Sequence, residues 1–218
     1  MYLLVIKTQK VDITTIFTTL ITAVSSVTVA LITAGYFRKW QDKTKEKHSR
    51  NQLMAQIQKD ELVHFTLREI RRQYDADRVY IAQFHNGGTF YTNSPMQKSS
   101  VTYERNSDGL ERIADRFQNV LVSHHTWYLT ETMSNRMFYV DIDEKMSDLP
   151  TKSLLKNFGN YAHAAVPIYD NEKRLVAIMA LSWVFSEIPA NILEGESFSD
   201  EFKSEFYQDA NSLKSYII

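Results

Sequence analysis

A glutamine and a histidine stand at the end of an apolar run, where polar side chains could do chemistry. The stretch RVYIAQFHNGGTFYT places Gln83 and His85 on one face of a predicted strand, just before Asn86-Gly87. A histidine there could serve as a general base or a metal ligand. However, no second ligand stands at suitable spacing, and Asn-Gly is a strong signal for a type I′ hairpin turn. We therefore predict a hairpin that returns through Thr89–Tyr91, with Gln83 and His85 at the rim of a pocket and no catalytic role.

The remaining candidates for chemistry are weak. His124 and His125 are adjacent, and neighbours in a strand point to opposite faces, so they do not suit one metal ion. The absence of cysteine excludes thiol catalysis and cysteine-ligated metals. There is no Gly-x-Ser-x-Gly elbow, His-Glu-x-x-His motif, phosphate loop or Rossmann glycine pattern. We predict no enzymatic activity, no metal and no cofactor, and the net charge of −1 argues against a nucleic-acid partner.

The elements that would position these residues begin with an uncharged segment at 13–37, ITTIFTTLITAVSSVTVALITAGYF. A helix of this length would cross the roughly 30 Å hydrocarbon core of a bilayer. Tyr36 and Phe37 followed by basic residues are typical of a membrane interface. A cleaved signal peptide or a buried helix are the alternatives, but the apolar stretch is long for a signal peptide. The sequence thus predicts a tail at 1–12, a transmembrane helix at 13–37, a charged linker at 38–52 and a globular domain at 53–218.

Small residues recur every four positions in the predicted membrane helix, at Thr22, Ser26, Ala30 and Ala34. Such a stripe lets two helix backbones approach closely, which favours a homodimer or larger oligomer in the lipid bilayer. More basic residues follow the segment than precede it: Arg38, Lys39, Lys43, Lys45, Lys47 and Arg50, against Lys7 and Lys10. The positive-inside rule then predicts a single-pass protein of the inner or plasma membrane with its globular domain in the cytoplasm.

The globular part alternates helices and strands. Apolar residues at Val63, Leu67, Ile70 and Tyr74 predict one face of a first helix that ends at Asp75-Ala76-Asp77. A strand over 78–85 follows, then a strand at 138–142, a short helix over 150–157, and two apolar strands over 164–169 and 174–185. A terminal helix carries Phe198, Phe202, Phe206, Ala210, Leu213 and Ile217 on one face. This order predicts an α+β domain in which both long helices cover one face of an antiparallel sheet.

The globular part of the chain resembles the GAF-domain family, whose members are sensory domains with a GAF/PAS-like antiparallel sheet. The segment LLKNFGNYAHAAVPIYDNEKRLVAIMALSWVF resembles the end of such a domain, and ADRVYIAQF resembles its first strand. The chain lacks the Asn-Lys-Phe-Asp-Glu signature of cyclic-nucleotide-binding members, a cysteine for a bilin, and the glycine that is frequent where Asn171-Glu172-Lys173 stands. The resemblance implies a pocket for a small molecule on the sheet face opposite the helices, closed by a lid at about 93–135.

The predicted lid is rich in aromatic residues, which suit a planar or amphiphilic ligand. Together with Gln83 and His85, the predicted ligand-binding residues are Tyr103, Phe117, Trp127 and Tyr128. A lid that only completes the core is the alternative interpretation. We expect a membrane-anchored sensory module that acts through oligomerisation or an unknown protein partner. The alternatives are a phage holin-like protein, whose membrane helix assembles under control of the globular domain, and a purely structural component.

Overall fold

A computed structural model describes residues 13–89, 93 and 95–217 of the chain. The chain divides into two compact units, Met1–Gln56 and Ile57–Ile218, which are described separately. Helix α1 extends over Ile13–Gln73 and contributes residues to both units. It includes the range 38–52, so the predicted charged linker is helical, and those of its side chains that the structure describes are exposed.

In the first unit the hydroxyl groups of four described residues of α1 are bonded to the helix itself. Ser25, Ser26 and Thr33 each donate to the carbonyl four residues earlier, at 2.7–2.8 Å, and Thr22 donates to Thr18 in the same way. Of the predicted small-residue stripe, Thr22, Ser26 and Ala30 are exposed, and the side chain of Ala34 lies outside the described residues. Over the residues that the structure describes, no helix combines the length and the apolar character needed to cross a membrane.

The second unit is built on an antiparallel sheet. Its main strands are β1 (Arg78–Thr89), β2 (Pro95–Asn106), β3 (Val120–Leu121), β4 (Phe138–Tyr139), β5 (Ala162–Tyr169) and β6 (Leu175–Trp183). Within the described residues these form one six-stranded sheet in the order β3-β2-β1-β6-β5-β4. Its helices are α2 (Thr126–Met133), α3 (Ile142–Lys145), α4 (Leu149–Asn157) and α5 (Asp200–Ile217), and β7 (Leu193–Glu194) pairs with β8 (Ser197–Phe198). The predicted α+β class is confirmed.

One face of the sheet packs on α1 and α5. The predicted stripe of α1 is buried there against Val79 and Ile81 of β1, together with Phe202 and Phe206 of α5. The Tyr74 hydroxyl donates to the Asp209 carboxylate at 2.7 Å, which joins the two helices. Ser199 accepts from the backbone N–H of Phe202 and caps α5. The predicted arrangement of both helices on one sheet face is therefore confirmed.

The predicted turn at Asn86-Gly87 is wrong. Both residues lie inside β1, where Asn86 pairs with Gln97, and the ladder is irregular between Asn86 and Thr89. Gly88 takes the positive φ, at 98°, and its N–H donates to the Asn86 side chain at 2.9 Å. An Asn-Gly-Gly sequence serves a bulge as well as a turn, since both need a residue with positive φ. Thr89 ends β1 rather than beginning the return strand, and residues 90–92 lie outside the described residues.

Candidate functional site

A cavity of about 50 Å³ lies on the sheet face opposite α1 and α5. Its floor is formed by the sheet, mainly by Tyr80 and Ala82 of β1 and Ile178 of β6. Side chains alternate along a strand, so Tyr80 and Ala82 face the cavity while Val79 and Ile81 face the helices. One strand therefore serves both cores of the domain.

The segment between β2 and β4 covers this floor. It contributes Ile113, Phe117, Val122, His125 and Tyr128 to the cavity wall. Helix α4 closes the remaining side, a contribution that the sequence prediction did not include: Leu154, Leu155 and Phe158. The predicted lid at 93–135 is thus partly wrong, because its first part is strand β2, which belongs to the sheet.

A buried ion pair holds the start of this covering segment. Arg78 Nε lies 3.4 Å from Glu104 Oε1, and both side chains are 1% exposed. The Glu104 carboxylate also accepts from the backbone N–H groups of Ile113 and Ala114, at 3.0 and 2.9 Å. Arg78 donates to the Glu111 carbonyl at 3.1 Å and to Asn160 at 3.0 Å. These bonds fasten the covering segment to the sheet, so the charge of Arg78 is matched within the protein.

A chain of hydrogen bonds leads from the cavity into the sheet. The hydroxyl groups of Tyr80 and Tyr128 are 3.5 Å apart, and the Tyr128 hydroxyl is 3.1 Å from His163 Nε2. His163 Nδ1 is 3.1 Å from the hydroxyl of Ser182. His163 is completely buried, and this burial, reinforced by the charge of Arg78, lowers its pKa to about 3. The imidazole is therefore neutral at physiological pH.

Burial also determines the ionisation of the other polar groups at the cavity. It raises the pKa of the Tyr80 hydroxyl, and it raises that of Tyr128 well above the ordinary value, so both remain protonated. Burial, followed by the neighbouring His124, lowers the pKa of His125. The cavity wall therefore has hydrogen-bonding groups but no formal charge near neutral pH.

The structure separates the six residues that the sequence predicts as ligand-binding. Phe117 and Tyr128 line the cavity, while Trp127 packs beside it against Tyr139. Gln83 donates to the carbonyl of Ile217 at 2.9 Å, on the helix side of the sheet. The hydroxyl of Tyr103 donates to Asp60 of α1 at 2.6 Å. His85 is 2.9 Å from the hydroxyl of Ser100 and, like Gln83 and Tyr103, does not contribute to the cavity wall.

The sequence prediction did not include Tyr80 or His163. The alternation of β1 could have indicated Tyr80, because it lies on the opposite face from Gln83 and His85. His163 stands alone in the apolar strand AHAAVPIY, a signal that a polar group is buried in the sheet. His124 lies in a short 3₁₀ helix and His125 just before α2, so neither belongs to a strand. Among the described residues, no three His, Asp or Glu side chains form a group that could hold a metal ion.

Solved structures of GAF domains are similar to this chain. The chain is similar to GAF3 from Slr1393 of Synechocystis sp. PCC6803, with 16% identity and a TM-score of 0.51 over 72% of this chain and 90% of that one. It is also similar to the Thermosynechococcus elongatus PixJ GAF domain in its blue-light absorbing form, with 15% identity and a TM-score of 0.54 over 73% and 84%.

A third similar structure is the GAF domain region of a putative membrane protein from Geobacter sulfurreducens PCA. It shows 15% identity and a TM-score of 0.53, over 76% of this chain and 97% of that one. No protein-family model and no curated protein sequence matches the chain. At these identities the likeness establishes the fold, and the second unit has the GAF-domain fold.

Proposed function

We propose that this chain is a non-catalytic sensory module that binds a small molecule between its sheet and covering segment. The observation that carries the proposal is the cavity, because it combines apolar walls with a few convergent hydroxyl and imidazole groups. Sites for small molecules in proteins have this composition. The cavity lies across the sheet from α1 and α5, and this position supports a response to the bound state through these helices, by oligomerisation or by a protein partner.

Filling the cavity tests this proposal. Leu129 of α2 lines the cavity, whereas Leu149 at the start of α4 is 71% exposed. A panel of metabolites and nucleotides is screened by thermal melting on the full-length chain and on the Leu129→Trp and Leu149→Trp variants. A ligand of this site raises the Tm of the parent and of Leu149→Trp, but not that of Leu129→Trp. An equal Tm increase in all three proteins, or turnover of the ligand, contradicts the proposal.

Membrane attachment through residues 13–37 is a second part of the proposal and rests on the sequence. The segment has no charged residue. The hydroxyl groups of Ser25, Ser26 and Thr33 form hydrogen bonds within the helix, so they need no partner in the lipid. The full-length chain should sediment with membranes and resist washing at high salt. Placing aspartates at Val24 and Val29 should release it, and aspartates at Gln52 and Gln56 should not.

The holin-like alternative draws support from the exposed Thr22, Ser26 and Ala30, which would suit helix assembly as well as dimerisation. Membrane orientation separates it from the sensory proposal. The chain has no cysteine, so Glu172→Cys in the exposed loop between β5 and β6 provides a single labelling site. A cytoplasmic domain resists an impermeant maleimide until the cells are lysed. Labelling of intact cells, together with lethality that Ala30→Leu abolishes, would favour the holin-like function.

A further inference from the structure

The cavity wall has no charged side chain among the residues that line it. The polar contributors are Tyr80, Ser99, His125, Tyr128 and Asn160, and the others are aliphatic or aromatic. Buried Arg78 donates to the cavity-lining Asn160 but does not itself line the cavity. Glu104 already pairs with Arg78, and the Glu111 carbonyl and Asn160 accept its guanidinium hydrogens. A phosphate or carboxylate in the cavity would therefore lose its water without gaining an ionic partner, which is strongly unfavourable.

The two tyrosines provide one specific place for a ligand. Their hydroxyl oxygens are 3.5 Å apart, beyond the usual 2.7–2.8 Å of a hydroxyl–hydroxyl bond. The hydrogen-bond network fits a neutral His163 that carries its proton on Nδ1, toward Ser182, and accepts from Tyr128 through Nε2. The Tyr128 oxygen then remains an acceptor, and the Tyr80 hydroxyl remains a donor. A ligand hydroxyl can accept from Tyr80 and donate to Tyr128.

The volume limits the rest of the ligand. One water molecule needs roughly 10–15 Å³ on the scale where this cavity measures about 50 Å³. Roughly three to five water-sized groups therefore fit inside, which is fewer than the atoms of a phenol. The cavity is open on one side, so part of a small ring would lie in its mouth while the hydroxyl group lies inside. Phe117 and Phe158 provide aromatic walls for such a ring.

We propose that the ligand of this site is a small, uncharged aromatic compound with one hydroxyl group, bound at Tyr80 and Tyr128. The inference rests on the proposed function, since it specifies the ligand class of the same cavity. It excludes nucleotides and other anionic ligands from the site. The geometry of the two tyrosines and the uncharged wall carry it.

Three probes of similar shape separate the two parts of the inference: phenol, toluene and benzoate. Their dissociation constants for the full-length chain are measured by ligand-observed NMR titration at pH 7. Phenol should bind about 3- to 10-fold more tightly than toluene, because its hydroxyl exchanges hydrogen bonds to water for bonds to Tyr80 and Tyr128, which leaves a small net gain. Benzoate should show no saturable binding, because its charge has no partner in the cavity.

Variants locate the effect. Tyr128→Phe should reduce the preference for phenol over toluene, because only the bond from Tyr80 remains. Tyr103→Phe, a matched change on the helix side of the sheet, should leave the preference intact. Leu129→Ala enlarges the cavity and should strengthen the binding of phenol. If phenol binds neither the parent nor Leu129→Ala, or if benzoate binds as tightly as phenol, the inference is overturned.

The proposed function is judged separately. One informative result is a nucleotide or carboxylate that raises the Tm of the parent but not that of Leu129→Trp. That result would support the proposed binding function and would overturn the inference that the ligand is uncharged and carries a hydroxyl group. If neither the probes nor any panel compound binds at the cavity, both are overturned.

Discussion

The Asp77 carboxylate accepts a hydrogen bond from the backbone N–H of Ser186 at 2.8 Å and another from the Ser186 hydroxyl at 2.7 Å. It also accepts from the backbone N–H groups of Val184 and Phe185, both at 2.7 Å. One side chain at the entry of β1 thus binds the chain where it leaves β6. These bonds satisfy backbone groups that no strand partner reaches in this turn.

Removing the charge of Asp77 should destabilise the domain. Burial alone would raise the pKa of this carboxyl group, but the backbone hydrogen bonds of Ser186, Phe185 and Val184 outweigh burial and lower it to about 2. Asp77→Asn should lower the free energy of unfolding by about 2 kcal/mol, because bonds to a charged acceptor become bonds to a neutral one. Urea unfolding at pH 7 measures this change.

The same carboxylate gives an acid dependence of known sign. Its folded pKa lies below the ordinary 3.8, so its stabilising contribution is present above that value and is lost as the pH falls from about 3.8 to about 2. Asp77→Asn should abolish this part of the pH dependence. Asp108→Asn, at an exposed position, is the control and should retain it. Parallel pH curves for the parent and Asp77→Asn would contradict the role assigned to Asp77.

Buried His163 should make the domain less stable below neutral pH. Its folded pKa of about 3 lies below the ordinary 6.5, so the unfolded chain binds a proton that the folded one does not. Stability is therefore retained above pH 6.5 and lost as the pH falls toward 3. Between pH 7 and 5 the loss from this group is about 2 kcal/mol.

His163→Gln should remove most of this slope, although it also lowers stability at pH 7 by disturbing the bonds to Tyr128 and Ser182. The matched control is His124→Gln, because His124 is exposed. Urea unfolding at pH 7, 6 and 5 gives the slope directly. A slope that His163→Gln leaves unchanged would show that another group is responsible.

Gly87 should not tolerate a side chain. A Cβ atom there would lie 2.8 Å from the carbonyl oxygen of Met96 and 2.9 Å from the side chain of Lys98. Gly87→Ala should lower the free energy of unfolding by about 1–3 kcal/mol, because the β1–β2 ladder must shift. Adding Lys98→Ala should not restore stability, since the contact with the Met96 backbone remains. Full rescue by Lys98→Ala would place the clash on the side chain instead.

Lys173 has a backbone conformation that favours glycine. Its φ is +62°, in the left-handed region that costs a residue with a side chain about 1 kcal/mol or more. Lys173→Gly should therefore raise the free energy of unfolding by about 0.5–1 kcal/mol. Glu172→Gly, at a neighbouring residue without positive φ, should lower it. Thermal melting of both variants decides the matter, and equal effects would contradict the assignment.

Periodicity predicted the parts of this fold in which burial follows a repeating pattern. The stripe from Val63 to Tyr74 and the apolar face of the terminal helix were predicted from spacing, and both are buried on one face of the sheet. The prediction of a turn at Asn86-Gly87 was wrong because bulges and turns both need a residue with positive φ. The local sequence does not contain the pairing of Asn86 with Gln97, which decides between them.

The cavity could be predicted only in outline. Phe117 and Tyr128 belonged to the aromatic segment that the sequence singled out, and both line the wall. Leu155 and Phe158 could not be assigned, because their role depends on how α4 packs across the sheet from residues distant in sequence. The ion pair of Arg78 with Glu104 could not be predicted either, because it depends on the register between β1 and β2.

The alternation of β1 and β6 has a consequence for cooperativity. Tyr80 and Ile178 belong to the core at the cavity, while their neighbours Val79 and Met179 belong to the core under α1 and α5. Neither core can lose its strands while the other keeps them, so the domain around the sheet unfolds as one unit. A ligand bound at the cavity therefore raises the free energy of global unfolding of the whole domain, including the helices on the far side of the sheet. Backbone amides in those helices that exchange only through global unfolding should exchange more slowly when the ligand is bound.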